Sequence, residues 1–401
     1  MDKIKLNKIF FSLLPLIIIL SISATVFGRE YNRSYAQPTL TTETRQIAVI
    51  LPLSGPFAEY GKALQQGYKL GFAEVTATAN IAVPQYKIEY LDSEADPENV
   101  RTLINMLSSE GDVAIATGTP LNATAWTASH ACEKNGLPYL IVGADQDNLI
   151  NNETVYSFRL TQNSSSREQI LSDFIAAQKP EIKSMGIIYS SASAGAINKA
   201  RKLRKICTKK SIDLTIWKQW KKYNNNRDNF YDLLNTIKEH QPQILFLVTE
   251  QTVANRLWQQ GKRLGIMPQA TITIPINCLD LDFQSGLATK PADQLIYATP
   301  WPAPEFSLTD TLSGETDTSY WENMLSAQGS AAAKVILTCL QKSENLSATA
   351  IVKSMESIKI ETVYGQVSFS KAQSGHQNHL PWYLCRNNES EGNRVIFPAL
   401  K

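Results

Sequence analysis

Side chains able to do covalent or metal chemistry are sparse in this 401-residue chain, with four histidines and five cysteines. His376 and His379 stand near Cys385, but a fourth ligand is missing, and the surrounding Gly/Asn-containing stretch reads as a surface hairpin rather than a zinc site. The cysteines form no CxxC pair and are too scattered for a disulfide scaffold. No GxGxxG follows a strand pattern, and GxxxxGK[ST], HExxH and GxSxG are absent. The phosphate cradle, metal-ligand pair and nucleophile elbow of the corresponding enzymes are therefore lacking. The residues point to no catalytic group, no metal and no cofactor. Lys plus Arg number 39 against 37 Asp plus Glu, too even a balance to attract nucleic acid. The densest charge runs from Lys199 to Lys222, where Asp213 is the one acidic residue. Ile197, Ala200, Leu203 and Cys207 make a core-facing helical stripe there, which leaves Lys199, Arg201, Lys202 and Lys205 on solvated faces.

The elements that must position any site alternate strand with helix. Ile47 to Leu51 is an apolar strand ended by Pro52 and a Ser-Gly-Pro turn, and Leu64, Tyr68, Phe72 and Val75 then recur at helical spacing. Tyr86 to Leu91 alternates as a strand, and Asp96-Pro97 opens a helix with a cap and a proline in its first turn. The pattern repeats through Val113 to Ala116, Leu121 to Glu133 and Tyr139 to Val142. After the Ser/Asn-rich Gln162 to Ser166 a second series follows, with strands Met185 to Tyr189, Ile212 to Trp217 and Ile244 to Val248 separated by helices. Two such series predict two α/β lobes, each with a parallel sheet covered on both faces.

The segment Ile47 to Gly61 (IAVILPLSGPFAEYG), followed by a helix with Gly67 and Gly71, resembles the opening of the type I periplasmic solute-binding proteins, especially the branched-chain amino-acid-binding, leucine-binding-protein-like family of ABC transporters. The likeness continues through Asp92 to Pro97, Gly118 to Ala128, Leu137 to Ala144 (LPYLIVGA), Phe158-Arg159, Gly186 to Tyr189 and Tyr364 to Phe369 (YGQVSF). It implies an α/β fold of two Rossmann-like lobes joined by three crossovers, placed near Gln162 to Ser166, Tyr297 to Trp301 and Tyr364 to Ser374. Residues 45–163 would begin lobe one, 164–298 form lobe two, 299–364 complete lobe one, and 365–401 return to lobe two and the tail.

In open parallel sheets, ligands bind in the crevice at the carboxyl ends of the strands. On the family pattern, Tyr60, Asn122, Ala144 through its backbone, and Asp145 would face the cleft from lobe one. Ser190, Ala194, Glu250, Gln251 and Asn277 would face it from lobe two. Tyr60 could equally pack, and Asn122 and Asp145 could cap helices or turns. The resemblance also departs: Ala194 replaces the family's binding tyrosine, and Ala95 and Leu121 occupy the positions of its lobe-one disulfide. The expected function is capture of a small polar ligand (amino acid, amide or amine) by a monomeric extracytoplasmic receptor, with delivery to an ABC permease. The alternative is a sensing or interaction module of the same fold. Asp145 about 4 Å from a ligand carboxylate would cost roughly 4 kcal/mol at an effective dielectric of 20, so with Glu250 nearby an amine, guanidine or amide is expected over leucine.

The amino terminus bears on location. Lys3, Lys5 and Lys8 precede an uncharged run from Ile9 to Phe27, and Ser34-Tyr35-Ala36 sets small residues three before and immediately before Gln37. Residues 1–36 therefore read as an export signal, or as an anchor if cleavage fails. Amino-terminal sequencing of the exported protein is expected to start at Gln37, whereas an intact chain in membranes starting at Met1 would identify an anchored form.

Overall fold

Strand β1 (Arg45–Leu51) is buried from Gln46 onward, as a central parallel strand covered on both faces must be. The computed structural model describes residues 45–78, 86–191, 194–221, 230–268, 270–274, 292–301, 320–370, 375–387 and 394–398. The export-signal reading and Asn277 lie outside them. Beside β1 run β2 (Tyr86–Asp92) and β3 (Val113–Gly118), and β4 (Tyr139–Ile141) and β5 (Ser157–Arg159) extend the sheet in the order β5-β4-β3-β1-β2, all parallel. Helices Ala58–Thr78 and Tyr320–Lys342 pack on one face, and Pro97–Glu110 and Asn122–Asn135 on the other. Asp96 caps Pro97–Glu110 through the Glu98 N–H, and Gly111 ends it at φ 75°, a left-handed stop that suits glycine.

The second sheet holds β6 (Ser184–Ser190), β7 (Asp213–Trp220), β8 (Ile244–Val248), β9 (Ala270–Thr273) and β10 (Ile296–Thr299), in the order β10-β9-β8-β6-β7. These five are parallel. The chain then returns to lobe one for helices Tyr320–Lys342 and Ala348–Ser357, the hairpin β11 (Ile360–Thr362) and β12 (Gly365–Val367), and β13 (His376–Gln377). It finishes in lobe two with β14 (Tyr383–Arg386) and β15 (Arg394–Phe397), antiparallel additions that make this sheet mixed rather than wholly parallel.

Two expectations are corrected here. The third crossing does not fall within Tyr364 to Ser370, and the described residues 365–370 and 375–378 stay with lobe one. His376 and Gln377 instead pair in parallel with Phe158 and Arg159 of β5. The His376 ring lies 3.9 Å from that of Phe158 and Phe369 meets Phe158 edge-on, so this stretch is core of lobe one and the crossing comes between Asn378 and Tyr383. His376 is accordingly fully buried, not part of a surface hairpin, and bonds the Ser157 carbonyl and the Glu356 carboxylate.

All three crossings meet at one side chain. The Gln162 amide, 2% exposed, donates to the Pro300 carbonyl on the second crossing (2.9 Å) and the Pro381 carbonyl on the third (3.0 Å), and accepts from the Tyr364 hydroxyl (3.1 Å). The Trp382 indole N–H reaches the Asn163 carbonyl and the Ser166 hydroxyl, fastening the third crossing to the first.

Helices Ala58–Thr78 and Tyr320–Lys342 approach backbone to backbone. A Cβ at Gly67 would lie 2.0 Å from the Ser326 carbonyl oxygen, and one at Gly329 would lie 2.4 Å from that of Leu64. Gly67→Ala must therefore part the helices, with an expected loss on the order of 3 kcal/mol in urea unfolding. Gly111→Ala, with nothing within 4 Å, meets only its left-handed backbone and should cost about 1 kcal/mol.

Candidate functional site

A cavity of about 80 Å³ lies between the lobes, room for several water-sized groups. Lobe one contributes Tyr60, Asn122, Asp145, Met324 and Gln328, lobe two contributes Arg167, Lys199, Ile274 and Ala298, and Gln162, Pro300 and Trp382 of the crossings close its base. It shares Asn122, Asp145, Arg167 and Lys199 with a wider groove of about 630 Å³, bordered by Asp147, Arg201, Lys202 and Lys205.

Local structure explains these positions. Asn122 opens helix Asn122–Asn135 at the end of β3, and its Oδ1 accepts from the backbone N–H groups of Asp145 (3.0 Å) and Gln146 (3.1 Å). Its Nδ2 donates to Asp145 Oδ1 at 3.2 Å. The loop after β4 is thereby held so that Asp145 points across the cleft, where Arg167 Nη1 of lobe two meets its Oδ2 at 3.0 Å. Arg167 lies in the first turn of helix Ser164–Ala177, capped by Asn163, and its guanidinium sits 5.2 Å from the centre of the Trp382 ring. One turn along the lip, Lys202 bridges Asp147 of lobe one (3.1 Å) and Glu168 (2.6 Å). Asp147 also accepts from the Ser165 N–H and the Ser164 hydroxyl.

Burial alone would raise the Asp145 carboxyl, but the Arg167 and Lys199 charges and the Asn122 bond outweigh it and hold the group below its ordinary 3.8. Asp147 is lowered likewise, burial being outweighed by the Ser165, Ser164 and Lys202 bonds. Beneath them burial pushes the Arg159 guanidinium down to about 10, against the Asp147 and Asp145 charges. Arg159 donates to the Gln146 carbonyl (2.5 Å) and to Gln377 Oε1 (2.6 Å).

The expected residues divide. Tyr60, Asn122 and Asp145 come together at the cavity. Ala144 is buried behind it, its carbonyl accepting from the Thr161 hydroxyl at 3.2 Å, while its neighbours Gly143 and Asp145 form the wall. Ser190, Glu250 and Gln251 lie at the ends of β6 and β8 outside that wall: Ser190 Oγ is 3.4 Å from Glu250 Oε1, and Gln251 bonds Asn255 and Thr273. Ala194 opens helix Ala194–Lys210, with its side chain outside the described residues.

Two chemical expectations change with this geometry. Asp145 is not a lone carboxylate, because Arg167 neutralises it, so the roughly 4 kcal/mol repulsion of a ligand carboxylate loses its premise. Lys199, Arg201, Lys202 and Lys205 are not merely solvated but border the groove.

Arg167, Gln162, Gln328 and Trp382 escaped the sequence reading. Arg167 carried a signal, since a cation in a helix's first turn opposes the helix dipole, and such local conflicts mark functional positions. Gln328 is a polar residue inside a helix whose neighbours are mostly apolar; it is 3% exposed, donates to the Tyr364 hydroxyl and leaves its Oε1 without a hydrogen-bond partner.

A profile of the periplasmic binding protein family matches residues 44–393. Among solved structures, the branched-chain amino acid transporter substrate-binding protein LivJ from Streptococcus pneumoniae in complex with isoleucine is 18% identical, with a TM-score of 0.66 over 88% of this chain and 100% of that one. An ABC transporter substrate-binding protein from Desulfitobacterium hafniense in complex with Leu is 16% identical, with a TM-score of 0.66 over 88% and 99%. A solute-binding protein of an ABC transporter from Rhodopseudomonas palustris BisB5 in complex with 3,4-dihydroxybenzoic acid is 17% identical, with a TM-score of 0.66 over 90% and 98%.

Asp145→Asn is expected to cost about 2 kcal/mol in urea unfolding near neutral pH, between an exposed pair and a buried one. Because its folded value lies below 3.8, the wild-type carboxylate contributes fully above that pH and loses its contribution as the pH falls through the depressed value. The difference between the two proteins should therefore shrink in acid.

Proposed function

The chain belongs to the periplasmic binding protein family, and from that premise we propose that it is an extracytoplasmic receptor that closes its lobes on a small carboxylate-bearing solute and presents it to an ABC permease. One observation supports this reading above the others: the cavity at the hinge draws its walls from both lobes and all three crossings, the arrangement in which bound solute adds contacts to the closed form that the open form lacks. The solutes named for the three compared structures, isoleucine, Leu and 3,4-dihydroxybenzoic acid, share a carboxyl group. Arg167 and Lys199 are the complement of such a group here. Catalysis has no part in this role, which asks only for capture and release. Among the described residues no helix is long and apolar enough to cross a membrane.

Screening purified protein by thermal shift against amino acids and organic acids tests the reading, since a ligand at 100 times its dissociation constant adds about 2.7 kcal/mol. The solute so found should reduce the radius of gyration in small-angle scattering. A saturating solute that leaves the scattering curve unchanged would overturn lobe closure.

A further inference from the structure

The cavity between the lobes and the groove outside it share part of their walls. Asn122, Asp145, Arg167 and Lys199 border both spaces, whereas Tyr60 and Met324 border the inner one and Asp147 and Lys202 the outer. Of the shared residues, Asp145 and Arg167 come from opposite lobes and meet at 3.0 Å. At that point the two spaces are separated by an ion pair, not by a continuous stretch of chain.

Each half of the pair is held on its own lobe. Asp145 Oδ1 accepts from Asn122 Nδ2, and the Asp145 backbone N–H donates to Asn122 Oδ1, so Oδ2 is the oxygen that reaches across. On lobe two, Asn163 caps the helix that carries Arg167, and the guanidinium lies 5.2 Å from the centre of the Trp382 ring. Parting the pair therefore leaves the carboxylate its amide and the guanidinium its aromatic face. Water in the wider groove can hydrate both charges as they separate. An ion pair sealed in a core has no such relief, and breaking it is correspondingly costly. Further out, Lys202 joins Asp147 across the same gap at 3.1 Å, a second tie that borders the groove but not the cavity.

Resting on the receptor reading above, we infer that Asp145 and Arg167 form a gate: the pair shuts the inner cavity off from the groove, and solute enters or leaves when the two side chains part. Asn122 is then a positioning residue, which keeps the carboxylate where Arg167 meets it.

Access to the cavity tests this without any solute. Met324, buried on the inner wall, is replaced by cysteine in the full chain, and its reaction with methyl methanethiosulfonate, a small uncharged reagent, is followed by peptide mass spectrometry. Labelling is expected to be slow with the pair intact. Adding Arg167→Met, which keeps the bulk and removes the charge, should speed it at least about tenfold, because the rate follows the population of the parted state. Asp145→Asn should speed it too, and the two together should be no faster than Arg167→Met alone, since both remove one bond. The native Cys132 and Cys339, fully buried in lobe one, report any general loosening of the fold. Unchanged labelling at position 324 in both variants overturns the inference, and so does a rise that Cys132 and Cys339 share. Either result leaves the receptor reading standing, because the thermal-shift screen and scattering decide that reading separately.

Discussion

A single buried amide governs how the two lobes relate. The Gln162 side chain, itself on the first crossing, bonds the second at Pro300 and the third at Pro381, and accepts from Tyr364 of lobe one. Each bond has a net worth of only about 1 kcal/mol, but their removal would leave two part-buried carbonyls without this donor. Bonds that meet at one point let the lobes turn about it while preventing them from sliding apart. The cavity lies against the same residues, so its base is defined by the pivot and its mouth by whatever the pivot brings together.

What meets at the mouth is complementary. Lobe one presents Asp145 and Asp147 on a loop fixed by Asn122, and lobe two answers with Arg167 and Lys202 on two helices. The Lys202 pair is part-exposed and contributes little, whereas the Arg167 pair is largely buried. Their alignment nevertheless sets the register in which one lip approaches the other. Among the described groove residues, lobe two carries more positive charge than lobe one.

Much of the fold was legible because it rests on periodicity. The apolar run of β1, the Asp96-Pro97 helix start and the alternation of strand with helix each follow from local rules, and each appears in the structure. The third crossing was not legible, since nothing local tells that the two-residue strand His376–Gln377 pairs with β5 rather than continuing to lobe two. The candidate site divided on the same line. Tyr60, Asn122 and Asp145 follow strand ends and could be placed by pattern, but the charge state of the cleft depends on Arg167 crossing to Asp145, a contact that only the closure of two lobes creates. Gln328 was hidden because a glutamine in the small polar run Ser326-Ala327-Gln328-Gly329-Ser330 gives no local sign of burial.

The late pairing of β13 has a consequence for how the molecule comes to exist. Arg159 finds its partner Gln377 218 residues downstream, and β10 likewise waits for β14. At ribosomal speeds of about 5–20 residues per second, β5 would spend roughly 10–45 s as an unpaired sheet edge before its neighbour emerged. Neither lobe can be finished in the order of synthesis, and contacts so distant in sequence make the final collapse slow. Until residue 377 has been made, lobe one therefore lacks the strand that closes its β5 edge.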